Sequence, residues 1–187
     1  MESHNRVLVV ASGSIALLQL PNYLKGIKDR GWHCKCVMTP QAARIMRPET
    51  IASFVDTFTD EGHWGASIAR VPHIDLATWA KVIVVLPATM NFIGNLASGL
   101  APNLAATTVL SSDSPVLIYP NLFETMMRIP AVQRNLTQLQ ADGYHVFSEV
   151  RSAYSVGRAS EMSSIILPSV AETVSDIEHY LVAVSEI

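Results

Sequence analysis

The 187-residue chain has no run of basic residues. Its 13 Lys and Arg are scattered singly against 16 Asp and Glu, for a net charge of -3. That pattern leaves neither a basic stripe for nucleic acid nor a patch for an anionic membrane surface. Cysteine is scarce. Cys34 and Cys36 lie on one face of an apparent strand, and without the further ligands that a zinc site needs they read as free thiols in a reducing cytoplasm. No charged, apolar and small-residue leader opens the chain, and the run Val7 to Ala11 is too short to span a bilayer, so a cytoplasmic protein is expected. A dinucleotide fingerprint G-x-G-x-x-G is missing, as are repeats and low-complexity tracts. Charge itself is low, at 16% of residues. With a mean hydropathy of +0.28, the chain is apolar for a small monomer, which points to extensive subunit contact.

What is present is apolar and periodic. A hydrophobic content of 49% over 187 residues supports one domain, 1–187, with a sizeable core. The chain is organised around Val71 to Gly99. A short helix carrying His73 near its start leads into an aliphatic strand, Lys81 to Leu86, then into a turn, Pro87-Ala88-Thr89-Met90-Asn91, that opens a second helix. In an open α/β sheet ligands bind at the carboxyl ends of strands, so an imidazole and a carboxamide can meet there.

The strand Arg6 to Ala11 precedes the turn Ser12-Gly13-Ser14 and an apolar helix in which Pro21 marks a kink or a restart. His33 to Met38 is a second strand, and Thr39-Pro40 reads as an N-cap with proline at the first helical position. Exposed amides at such helix starts bind phosphate; Gly13 is either a phosphate contact or only a tight turn, and Thr39 either caps its helix alone or also meets a ligand. Val55 to Thr59 fits a short third strand, and Asp60 to Pro72, with Gly62, His63, Trp64 and Gly65, is a polar loop that reads as a lid or a subunit surface. Pro102 to Leu110 follows as a helix, Pro115 to Tyr119 as a strand, Glu124 to Ala141 as one long helix and Tyr144 to Phe147 as a last strand. Ser148 to Ser164 is mostly small and polar, and Ala171 to Val184 closes the chain as a helix. The alternation predicts an α/β fold, a three-layer α/β/α, flavodoxin/Rossmann-like, doubly wound parallel sheet.

Taken in order, His73-Ile74-Asp75-Leu76, Pro87-Ala88-Thr89-Met90-Asn91 and Gly94 to Gly99 resemble the motifs H-I-x-L and P-A-S-A-N-T of the flavin-dependent cysteine decarboxylases. That family of homo-oligomers includes phosphopantothenoylcysteine decarboxylase and the peptidyl-cysteine decarboxylases of lanthipeptide, linaridin and thioamide-peptide biosynthesis. Gly13, Ser14, Ile15 and Ala16 extend the resemblance, which runs to about Met162. Two family marks depart. The substrate clamp P-x-M-N-x-x-M-W corresponds to Pro120-Asn121-Leu122-Phe123-Glu124-Thr125-Met126-Met127, where Phe123 stands in place of an asparagine. The cysteine of A-C-G-x-x-G-x-G-R-M, which completes the reduction to a saturated thiol, is here Tyr154. An enethiol product, the peptide branch's chemistry, therefore fits better.

The resemblance implies FMN as cofactor and, as partner, a precursor peptide with a C-terminal cysteine, oxidatively decarboxylated to an aminoenethiol. It also implies a trimer, or a dodecamer of trimers, with flavin between subunits. It assigns His73 as base and Asn91 as orienting amide, and places the flavin against Gly13, Ser14, Ile15, Thr39, Pro87, Ala88, Thr89 and Asn91. The peptide meets Pro120, Asn121, Phe123 and Met126. Each has a plainer reading beside it: His73 as a cap or surface group, Asn91 as an ordinary N-cap, Met126 as core filler. The alternatives are phosphopantothenoylcysteine decarboxylase and a non-catalytic FMN-binding regulator.

Overall fold

The computed structural model describes residues 5–61, 71–155 and 160–185. Strands β1 (Arg6–Ala11), β2 (His33–Met38), β3 (Asp56–Phe58), β4 (Val82–Ala88), β5 (Val116–Pro120) and β7 (His145–Val146) form one parallel sheet. Their order is β3-β2-β1-β4-β5-β7, the doubly wound topology expected from the alternation. β4 is buried at every position, because successive aliphatic side chains serve opposite faces. Val82, Val84 and Leu86 pack with α1 (Leu20–Asp29) and α9 (Val170–Ser185) on one side. Ile83 and Val85 pack with α4 (Pro72–Trp79), α5 (Met90–Ala97), α6 (Leu104–Leu110) and α8 (Pro130–Ala141) on the other. Both cysteines belong to the first of these layers, on one face of β2. Burial pushes the Cys34 thiol up to about 12 and the Cys36 thiol well above its ordinary value, which favours the protonated form of both.

Pro21 restarts a helix rather than bending one. A short 3-10 helix, Ile15–Gln19, gives way to α1, whose first turn holds the proline where no backbone donor is needed. Two short helices, α2 (Pro40–Ile45) and α3 (Pro48–Ala52), follow β2.

Three expectations change. β4 runs to Ala88, so Pro87 and Ala88 are buried strand residues and the turn reduces to Thr89. The long helix from Glu124 is two, α7 (Glu124–Met127) and α8, because Pro130 denies the amide that a continuous helix would use. The stretch after Ser148, read only as mostly small and polar, contains strands. β8 (Val150–Ser155) and β9 (Ser160–Ile165) pair antiparallel, and β6 (Leu122–Phe123) adds to β9, giving a second sheet in the order β6-β9-β8. Gly62, His63, Trp64 and Gly65 of the polar loop, and the side chain of Tyr154, lie outside the described residues. No helix among those described is long and apolar enough to cross a membrane, and no three of their His, Cys, Asp or Glu side chains form a group that could hold a metal ion.

Candidate active site

The strand order reverses between β1 and β4, and the helices that follow these strands, α1 and α5, leave to opposite faces. Such a divergence opens a crevice at the carboxyl ends. Its walls are Ser12-Gly13-Ser14 after β1 and Thr89 after β4, with Thr39 after β2 and Asn121 after β5 on either side.

Hydrogen bonds lace these ends together. Ser12, only 1% exposed, donates to Pro87 O from its amide at 3.2 Å and from its hydroxyl at 2.7 Å, and the hydroxyl accepts from Thr89 N at 2.8 Å. Ser14 Oγ donates to Asn121 Oδ1 at 2.7 Å, and Asn121 N donates to Ala88 O at 3.0 Å. Thr39 N closes the row on Ala11 O at 3.0 Å. Four strand ends are thus fixed relative to one another. Gly13 is required by close approach: a Cβ there would fall 2.4 Å from Gln41 Cγ and 3.1 Å from the Gln41 carbonyl carbon.

The hydroxyls also set the helix starts. Ser14 Oγ accepts from Ala16 N at 3.2 Å, Thr39 Oγ1 from Ala42 N at 3.2 Å and Thr89 Oγ1 from Phe92 N at 3.3 Å. Thr39 therefore caps its helix as read from the sequence. Asn91 does not: Thr89 holds the cap of α5, and Asn91 is the exposed second residue of that helix. Its carboxamide sits one residue beyond Met90, which is 39% exposed, and Ile15, on the opposite lip, is 69% exposed. The strand ends thus carry neutral hydroxyls and amides at Ser12, Ser14, Thr39, Thr89, Asn91 and Asn121, with the exposed apolar side chains of Ile15 and Met90 adjoining them in sequence.

His73 comes from a separate element. It is the half-buried second residue of α4, whose Leu76 and Ala77 are buried and whose Ile74 is 52% exposed. Because α4 leads back to the amino end of β4, its first turn is at the end of the layer nearer the strands' carboxyl ends.

The clamp positions separate in the same way. Pro120 is buried opposite Ala88, where the register between β4 and β5 shifts, and Asn121 is drawn to Ser14. Phe123 on β6 is 48% exposed, and Met126 on α7 packs partly into the layer of α5 and α8. Ser12, the centre of the lacing, escaped the sequence reading. The available signal was a serine at the end of an apolar strand, where a buried hydroxyl must find partners.

Comparison with known proteins adds descent to geometry. The Flavoprotein family profile matches residues 1–177. The coenzyme A biosynthesis bifunctional protein CoaBC of Bacillus subtilis is 34% identical over 178 residues, 89% of this chain but 42% of that protein, so the chain spans less than half the length of this relative. The mersacidin decarboxylase of a Bacillus species is 32% identical over 146 residues, covering 78% of this chain and 74% of the relative. The solved structure of the FMN-dependent cysteine decarboxylase SpaF superposes with a TM-score of 0.79 at 31% identity, over 97% of each chain. A crevice at the sheet's switch point and a family match across nearly the whole sequence lead to one conclusion: the chain belongs to the Flavoprotein family.

Proposed function

We propose that this chain, as a single flavin-binding domain, is an FMN-dependent decarboxylase that acts on the C-terminal cysteine of a precursor peptide and leaves an aminoenethiol. The observation that supports the reading is the laced crevice, where hydrogen bonds made by Ser12, Ser14, Thr39, Thr89 and Asn121 fix four strand ends and the helix starts that follow them at the switch point of the sheet. These residues fit FMN. Gly13 leaves its backbone bare, Ser14, Thr39 and Thr89 bring hydroxyls and helix starts, and Ile15 and Met90 offer apolar surface for a ring system. Pro87 and Ala88 complete the proposed flavin site as the buried strand end that sets the turn at Thr89.

When bound, FMN supplies the two-electron acceptor that oxidises the cysteine thiol to a thioaldehyde, whose C=S group takes up the negative charge left by departing carbon dioxide. His73 takes the proton from the substrate sulfur, which imidazole does well because it titrates near neutral pH whereas a free thiol is mostly protonated there. Asn91, freed from capping by Thr89, donates its amide hydrogens to the substrate carboxylate. Pro120, Asn121, Phe123 and Met126 receive the peptide.

The peptide substrate is favoured by Tyr154 in place of the cysteine that would finish the reduction, and by the likeness to mersacidin decarboxylase and SpaF. The likeness to CoaBC favours a second reading, phosphopantothenoylcysteine decarboxylation. Mass spectrometry of a short cysteine-terminated peptide, incubated in air with the purified yellow protein, decides between them. Loss of about 46 mass units, carbon dioxide with two hydrogens, is the expected result. Turnover of phosphopantothenoylcysteine alone would transfer the protein to the second reading.

A further inference from the structure

The antiparallel sheet beside the crevice is held at its root by an ionic fork. Arg151 Nη1 and Nη2 donate to the two carboxylate oxygens of Glu172 at 3.1 and 2.8 Å, and Nη2 and Nε reach Glu149 Oε2 at 2.7 and 3.2 Å. Glu172 is itself fixed. It accepts from Ser169 N at 2.6 Å while its own amide donates to Ser169 Oγ at 3.2 Å, a capping box at the start of α9. α9 in turn is anchored in the core through Ile177 and Leu181.

Under this fork lies a cavity of about 310 Å³, bordered by Phe147, Ile166, Pro168 and Asp176. Along this border the ionic fork spans the gap between β8 and α9. The strand register carries the constraint further. Arg151 pairs with Ser164, and Ser164 pairs with Phe123, so the three residues form one rung across β8, β9 and β6. Directly opposed residues in antiparallel strands share a face and interact as pairs, so the rung links Arg151 to Phe123 through Ser164. Its far end is two residues beyond Asn121, which is bonded to Ser14 in the crevice.

We propose that Arg151 is a positioning residue: latched to Glu172, it sets through the rung Arg151, Ser164 and Phe123 where Phe123 stands beside the crevice, and so how tightly the peptide is held. The kinetic part rests on the peptide decarboxylation proposed above; the structural part does not. A bidentate fork in a network of three charges is the arrangement in which an exposed ion pair has measurable effect.

The test compares wild type, Arg151→Met and Arg151→Lys as flavin-loaded proteins. Hydrogen exchange should quicken in Arg151→Met at the amides of β6, β8 and β9 and stay unchanged in β1 and β4. KM for a cysteine-terminated peptide should rise about fivefold, the upper range for one exposed pair, with kcat little changed. Arg151→Lys, which keeps the charge and loses the fork, should fall between. Faster exchange throughout the parallel sheet would make Arg151 a general stability residue and overturn the proposal. Unchanged exchange in β6, or altered exchange with KM unmoved, would overturn it too. If the wild type turns over no cysteine-terminated peptide, the catalytic reading falls and exchange in β6 alone decides the latch.

Discussion

Ser12 shows how much of the site depends on one small side chain. Its hydroxyl is buried, donates to Pro87 O and accepts from Thr89 N, so it joins the end of β1 to the end of β4 at the point where the sheet divides. Ser12→Ala leaves the half-buried Thr89 amide and part of the buried Pro87 carbonyl's bonding unmet. It should lower unfolding free energy by about 1–3 kcal/mol, read from urea denaturation, and weaken flavin binding. A wild-type midpoint with wild-type flavin affinity would show that the two ends are held by other means. His73 makes the opposite case, since α4 stands on Leu76 and Ala77. His73→Ala should fold and stay yellow while kcat falls about 10²–10⁴-fold, the usual reach of a general base. Normal turnover would sink that assignment. The two residues also differ in legibility. A histidine at the head of a short helix, a dozen or so residues before P-A-x-x-N, is a pattern along the chain, whereas the partners of Ser12 lie 75 and 77 residues away and exist only once the sheet has formed.

At the scale of elements, the parallel strands could be read because burial on both faces leaves an unbroken aliphatic run, as in Val82 to Leu86. β8 and β9 could not. Arg151-Ser152-Ala153 and Ser160 to Ser164 are poor in branched and aromatic residues, and their pairing with each other and with β6 is a tertiary fact. Helix ends were partly legible: Thr39-Pro40 gave its cap correctly, while for P-A-T-M-N the plainer reading of Asn91 as an N-cap fails, because Thr89 holds the cap. The start of α9 yields a pH prediction. Hydrogen bonds from Arg151 and from Ser169 hold the Glu172 carboxyl down to about 2, below its ordinary 4.5. A depressed folded value means that its contribution is present above 4.5 and lost as pH falls toward 2. Urea midpoints measured between those limits should fall less steeply in Glu172→Gln than in wild type. Equal slopes would remove Glu172 from the acid response.

For the whole molecule, low charge and high apolar content led to an expectation of subunit contact, and several large apolar side chains stand exposed. Ile15 is 69% exposed, Leu18 64%, Ile74 52% and Leu100 55%. Ile15 and Leu18 belong to the short helix that follows Gly13 and Ser14, and Ile74 adjoins His73, so the apolar exposure is placed beside the residues assigned to flavin and to proton transfer. Water contact at these side chains is costly in proportion to their area, and association of copies would remove it. A contact built there would put one subunit's helix start next to another's crevice and couple assembly to cofactor retention. Leu18→Asp should shift sedimentation from an oligomer toward the single chain and lower flavin occupancy in step, because a desolvated carboxylate in an apolar contact is strongly opposed. An oligomer that survives the substitution, or a single chain that keeps its flavin as tightly as wild type, would separate assembly from the site and leave that apolar side chain without the role argued for it.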